Sequence, residues 1–303
     1  MNDNKQNSMN INWYPGHMAK TRRQITEDLK LVDIVIELLD ARIPISSRNP
    51  DIANITKNKK KIIILNKSDL ADEKQNKVWI EEFKKQNIVA VLTDSNTGRG
   101  IDEAIKTIEK IMEKELTLYA EKGRIGKKIK AMVLGIPNVG KSSFINRISK
   151  KASAGVGNKP GVTRQKQWIR VNDKIELLDT PGVLWPKFES EEVALNLAFT
   201  GTIKDDILER TEIAYHLVKF LLENYKDKLC ERYKLDLNEI EQILSNENQA
   251  ENENIYEVLL LIGRKRGCII AGGNIDEEKT ARIILDEFKN GKIGKITLEN
   301  VKG

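Results

Sequence analysis

At 303 residues the chain is long enough for two domains, with 40% hydrophobic residues and a formal net charge of +6. No apolar run reaches the roughly 18 to 20 residues that span a bilayer, and the polar, Asn-rich stretch from Met1 to Asn10 lacks the apolar core of a targeting peptide. Cys230 and Cys268 are the only cysteines; without metal-ligand spacing they exclude a disulfide scaffold and suit a reducing cytosol.

Residues 1–12 read as a disordered tail. The runs 34–39, 62–65 and 88–92 are short and β-branched, and each ends near a polar motif, as buried parallel strands do. A helix is expected between them over 73–86. Another is expected over 101–118, where Ile101, Ile105, Ile108, Ile111 and Met112 fall at helical spacing. Residues 123–128 form a basic, glycine-containing linker. Residues 129–134 make a strand, and 143–148 start the helix that follows it. Residues 167–171 and 175–178 read as a hairpin across Asn172-Asp173. Beyond Pro186 the pattern becomes helical, with an amphipathic stretch over 207–225, an acidic polar loop over 246–254 and a helix over 277–289. The expected fold class is α/β: a doubly wound, mostly parallel sheet over 13–186, then a small all-α domain over 187–303.

Charge is unevenly distributed. Residues 205–303 hold 15 Lys/Arg against 20 Asp/Glu, whereas residues 1–204 hold 36 against 25. Between 121 and 170, Glu121 is the single acid against 13 Lys/Arg. A Lys-rich background would spread basic residues everywhere, so a segment this depleted in acids favours a polyanionic partner through counterion release.

Gly135-Ile136-Pro137-Asn138-Val139-Gly140-Lys141-Ser142 is a full phosphate-loop motif between an expected strand and helix. Its glycines allow close backbone approach to phosphates, with Asn138, Val139, Gly140 and Ser143 around the loop. Lys141 reaches the β- and γ-phosphates and the Ser142 hydroxyl ligates Mg²⁺. Downstream, Asp179-Thr180-Pro181-Gly182 places Asp179 to hold Mg²⁺ through water and the Gly182 amide to meet the γ-phosphate; by itself the word is also an ordinary turn. Thr163, in the loop before the next strand, can complete Mg²⁺ coordination, or belong to a basic loop without that role. Upstream, Asn66-Lys67-Ser68-Asp69 reads guanine, since a carboxylate accepts from both N1–H and the exocyclic amine, which adenine does not offer; by itself this word too is an ordinary turn. Lys67 packs its stem along the ring. Asp94 and Ser95 supply a second base contact, although a strand-to-helix turn accounts for them nearly as well.

The order of these motifs, guanine reader first and phosphate loop later, resembles the circularly permuted GTPases. Trp13-Tyr14-Pro15-Gly16-His17-Met18-Ala19-Lys20 and Asp40-Ala41-Arg42-Ile43-Pro44 match the ribosome biogenesis GTPase A group, and the resemblance covers the chain beyond its first ten residues. It implies a cytoplasmic bacterial GTPase that uses GTP and GDP with Mg²⁺ and acts late in large-subunit assembly. The implied partners are the large ribosomal subunit, its 23S rRNA and ribosomal proteins, with no membrane. It also implies a helical C-terminal domain similar to RNA-binding ANTAR domains, in which Gly263-Arg264-Lys265-Arg266-Gly267 is a candidate rRNA contact. Val183 stands where a Ras-like enzyme orients water with glutamine, so another group must do so. By resemblance that group is His17, a catalytic candidate beside Lys141 and Thr163; an exposed histidine in a turn is the alternative. Asn138 resembles the asparagine that holds K⁺ in potassium-activated GTPases, or it is a loop-stabilising side chain. A pure rRNA-binding module with a structural nucleotide site, and a small-subunit assembly GTPase, are the competing readings. His216, amid Ile213, Leu217 and Phe220, reads as a packed or solvated side chain.

Overall fold

The computed structural model describes residues 15–124, 126–153, 168–178, 190–203 and 209–301, without the side chains of 15–19, 21 and 150–153. The expected tail over 1–12, Thr163 and the Asp179–Val183 segment lie outside the described residues. Two compact units emerge, Met9–Phe188 together with Glu299–Gly303, and Glu189–Leu298.

The first unit is built on β1 (Ile34–Asp40), β2 (Lys60–Asn66), β3 (Val89–Leu92), β4 (Ile129–Leu134), β5 (Trp168–Arg170) and β6 (Ile175–Leu178). The sheet order is β3-β2-β1-β4-β6-β5. All neighbours are parallel except β5 and β6. Every residue of β1 is buried, which explains its unbroken Ile/Val/Leu composition: a central parallel strand is covered on both faces. Register and the two-residue alternation put Val35, Leu39, Ile63, Leu65 and Met132 on one face. There they meet Ile25, Leu29 and Ile52 at one side and Trp79 and Phe83 at the other. Ile36, Leu38, Ile64 and Val133, on the opposite face, are equally buried.

The helices of this unit are α1 (Pro15–Asp28), α2 (Pro50–Ile55), α3 (Glu73–Lys85), α4 (Ile101–Ile111), α5 (Glu113–Glu121) and α6 (Lys141–Ser153). Little in the sequence marks α1 beyond a proline suited to the first helical position; Ile25 and Leu29, packed near the last residues of β4 and β6, hold its C-terminal end. The single helix expected over 101–118 is broken at Met112 (φ −99°, ψ 3°). The apolar stripe ends there, and α5 buries no residue that would hold the two halves in line.

The second unit contains α7 (Glu191–Phe199), α8 (Arg210–Asn224), α9 (Lys226–Tyr233), α10 (Leu237–Leu244), α11 (Glu251–Lys265) and α12 (Glu277–Lys289). The loop expected over 246–254 is half helix. Glu251 and Glu253 occupy the first turn of α11, where carboxylates oppose the helix dipole, and Glu253 accepts from the Ala250 amide at 3.3 Å. The expected range 187–303 includes Glu299–Gly303, which belongs with the sheet unit.

Candidate guanine-nucleotide site

Each described nucleotide motif begins where a parallel strand ends. The phosphate loop follows β4, the Asn66–Asp69 loop follows β2 and the Asp94–Ser95 turn follows β3. The two halves of the sheet diverge between β1 and β4, and the carboxyl edge at such a switch point is where open α/β sheets bind ligands.

Asn66, almost fully buried, ties the three loops together. Its Nδ2 donates to the Val139 carbonyl of the phosphate loop at 2.8 Å. Its Oδ1 accepts from the Thr93 hydroxyl at 3.2 Å, the Ser95 amide at 3.1 Å and the Ser95 hydroxyl at 2.7 Å. Asn66 therefore acts on the site's architecture. The following residue, Lys67, adopts a left-handed φ of 57° and turns the chain. Its ammonium donates to the Asn138 carbonyl at 2.6 Å and pairs with Asp40 at 3.0 Å. Ser68 is buried, its amide on the Thr93 carbonyl and its carbonyl taking Asn76 Nδ2. Asp69 Oδ1 is buried without a hydrogen-bond partner among the described residues. A buried carboxylate oxygen is costly to leave unpaired, and a donor-bearing base edge would satisfy it.

Asp94 is a turn-former. Its Oδ1 accepts from the Asn96 and Thr97 amides and its Oδ2 from the Thr97 hydroxyl at 2.5 Å. Burial opposes its ionisation, but these hydrogen bonds and Arg99 hold its carboxyl below the usual carboxylate range. The Asp94 side chain fixes the shape of the turn, and the Ser95 amide is taken by Asn66 Oδ1. Arg147, on α6, donates to the Ser95 carbonyl at 3.1 Å and so links the helix behind the phosphate loop to this turn.

In the phosphate loop Asn138 and Gly140 have left-handed φ values of 63° and 93°. Left-handed residues within such a loop turn successive amides toward one concavity, which favours anions. A Cβ on Gly140 would lie 2.4 Å from Asn66 Nδ2, and one on Gly135 2.7 Å from the Leu38 carbonyl oxygen. Both positions have room only for glycine. Lys141 is the first residue of α6; Ser142 and Ser143 are exposed in its first turn, where the helix dipole adds to the attraction for phosphate. The Ser142 hydroxyl fits one position of a Mg²⁺ shell, and the exposed Asn138 side chain carries an amide oxygen of the type K⁺ accepts.

Asp40, Arg42, Arg147 and Glu299 are residues that the motifs do not reveal. Asp40 is buried at the end of β1 beside Arg42, which donates from Nε at 3.0 Å and Nη2 at 2.8 Å. Burial opposes its charge, but the Arg42 guanidinium and the Lys67 ammonium hold its carboxyl well below the usual range. The Asp40-Ala41-Arg42 word was the available signal for two of them; nothing local marks Glu299.

A family model described as a 50S ribosome-binding GTPase matches residues 130–261. It starts just before the phosphate loop and leaves Asn66–Asp69 upstream, as a permuted motif order requires. Over 96% of its length the chain is 45% identical to ribosome biogenesis GTPase A of Bacillus cereus, covering 94% of that protein. The chain belongs to the ribosome biogenesis GTPase A family. The Thermotoga maritima member is 31% identical over 95% of this chain and 94% of its own. A solved structure of GNP-bound YlqF from that organism superposes with a TM-score of 0.62 at 26% identity, covering 93% of this chain and 98% of that one. As a ribosome biogenesis GTPase A family member the chain is a GTP hydrolase with a P-loop GTPase domain, and its nucleotide is a guanine nucleotide. No helix among the described residues is long and apolar enough to cross a membrane.

Proposed function

We propose that the chain is a GTP-driven assembly factor of the large ribosomal subunit, acting in the cytoplasm. It engages 23S rRNA and ribosomal proteins with GTP bound and leaves after hydrolysis. The observation that carries the guanine part is the unpartnered Asp69 Oδ1 on a loop that Asn66 and Lys67 fasten to the phosphate loop. Asp69 accepts from the base edge, Lys67 lays its stem beside the ring, and Asp94–Ser95 closes the base pocket. The amides of 138–143 and Lys141 cradle the phosphates. Ser142, Thr163 and Asp179 would hold Mg²⁺, which neutralises phosphate charge, and Gly182 meets the γ-phosphate. Asn138 would hold K⁺.

The large-subunit part is supported by the family description and by the basic segment around the phosphate loop, with its one acid between 121 and 170. Relatives named for ribosomes extend to a mouse mitochondrial ribosome-associated GTPase, 34% identical over 95% of this chain and 89% of its own. For water positioning, Val183 has no hydrogen-bonding group, and His17 takes that role. A helix that packs on a sheet and turns directly into a strand runs antiparallel to it, so α1 carries the His17 backbone toward the carboxyl edge of β1.

Sedimentation of the purified chain with 50S, 30S and immature particles tests this reading. Co-sedimentation with large-subunit particles in a GTP analogue, and release in GDP, is expected. Binding to 30S alone would reassign the chain to the small subunit, and nucleotide-independent binding would make the site structural.

A further inference from the structure

The end of the chain is connected to the guanine-reading loop by side chains that belong to no nucleotide motif. The buried Glu299 carboxylate accepts from the Ile45 amide at 2.6 Å and the Ser46 amide at 2.7 Å, and its backbone carbonyl accepts from Trp79 Nε1 at 3.2 Å. The two amides lie in the loop 41–49 that leaves β1. Within it Ser47 Oγ accepts the Asp40 amide at 3.1 Å and donates to the Ile43 carbonyl at 2.7 Å, and Arg42 grips both Asp40 oxygens. Asp40 Oδ2 in turn holds the Lys67 ammonium, which reaches the Asn138 carbonyl.

A lysine stem loses rotamer freedom when a ligand packs on it. Fixing it beforehand removes that cost from binding and tightens it. A single carbonyl contact leaves the ammonium free to swing; a buried carboxylate on its other side does not.

We infer that Asp40 and Glu299 are positioning residues for guanine-nucleotide retention. Asp40 fixes Lys67 across the gap to the phosphate loop, and Glu299 braces the loop that keeps Asp40 in place. Glu299 lies more than two hundred residues from Lys67 in sequence, so the C-terminal segment takes part in the nucleotide site. This inference rests on the site reading proposed above.

The test is the dissociation rate of a fluorescent GDP analogue from the full chain, for Glu299→Gln in the wild-type and Lys67→Met backgrounds. Gln keeps the shape but offers one amide acceptor in place of two carboxylate oxygens. Release should speed up about threefold to tenfold in the wild-type background, since changes at a binding site act mostly on the off-rate, and show no further gain in the Lys67→Met background. Equal acceleration in both backgrounds would make Glu299 a general brace and overturn the inference, as would no acceleration in either. Trp79→Phe, which removes the indole bond to the Glu299 carbonyl together with part of the ring's core packing, gives a second loosening of the tail with the same expected pattern should Glu299→Gln not fold. Failure of the underlying site reading shows separately: Asp69→Asn would then keep its preference for guanine.

Discussion

Asp69 and Asp40 are carboxylates close to the same lysine, one by sequence and one by ion pairing, and their surroundings divide their work. Asp69 leaves one buried oxygen unpaired among the described residues, and the proposed base contact rests on that oxygen. Replacing it by Asn puts a donor where the base edge also donates. Asp69→Asn is therefore expected to weaken GTP and gain xanthine nucleotide, measured by competition among GTP, XTP and ATP. Asp40 is already saturated by Arg42 and Lys67. Its folded value lies below the ordinary 3.8, so its ion pairs stabilise the fold fully above 3.8 and that contribution is lost as pH falls through the lower folded value. Asp40→Asn, which strands the buried Arg42, should cost about 3–5 kcal/mol near neutrality. In urea unfolding the gap to wild type should narrow only below the ordinary carboxylate range; narrowing already near neutrality would assign the pH dependence elsewhere. The sequence marked Asn66–Asp69 as a candidate base reader because the word follows a strand and shares the chain with a phosphate loop. It did not show that Asn66 ties three loops together, because its partners Val139 and Ser95 come from distant strands that only the sheet order brings together.

Elements were readable where periodicity was strong. The strands ending at Asn66 and Leu134 contain the expected apolar runs because central parallel strands are buried on both faces, whereas β3 is an edge strand with Val89 exposed. The interruption at Met112 and the helix start at Glu251 depend on packing that one sequence window does not contain. The Gly263–Gly267 segment shows the same limit. Its glycine-and-arginine composition resembles a nucleic-acid contact, but a Cβ on Gly263 would meet Thr280 Oγ1 at 2.5 Å and Ile275 Cγ2 at 2.6 Å. Arg266 joins Arg232 on the buried carboxylate of Glu287. Burial opposes that charge, and the two guanidinium groups hold it below the usual range. Only Arg264 and Lys265 remain available for a phosphate backbone. Gly263→Ala is thus expected to push α11 from α12 and cost about 1–3 kcal/mol through overpacking, with GTP affinity unchanged. Thermal unfolding alongside nucleotide titration checks this; a loss of GTP affinity without loss of stability would contradict it. Arg264→Ala with Lys265→Ala should leave stability alone and weaken particle binding.

For the whole molecule, the permuted order places the segment after Asp179 next to the second unit in sequence. Ile25 of α1 and Leu29 just after it pack in one cluster with Leu134 and Leu178, the residues that end the strands before the phosphate loop and before Asp179. His17 lies eight residues before Ile25, about 12 Å along a helix rising about 1.5 Å per residue. The proposed water-positioning role therefore falls on a residue at the end of the helix away from this anchor. On the proposed reading, His17 orients water when a bound particle holds its end of the helix. His17→Ala is accordingly expected to keep GTP affinity and large-subunit binding and to leave the slow intrinsic rate unchanged. Particle-stimulated hydrolysis should fall about 10²-fold or more, the range for a lost positioned acid–base group. Lys141→Ala, by contrast, should lose the nucleotide itself. On the proposed cycle, in which release waits on hydrolysis, the two defects also differ in the cell: the His17 variant should accumulate on large-subunit precursors, and the Lys141 variant should not. Single-turnover hydrolysis at saturating 50S decides the matter. A near-wild-type stimulated rate for His17→Ala would place the water-orienting group on the particle, and α1 would then serve the fold alone.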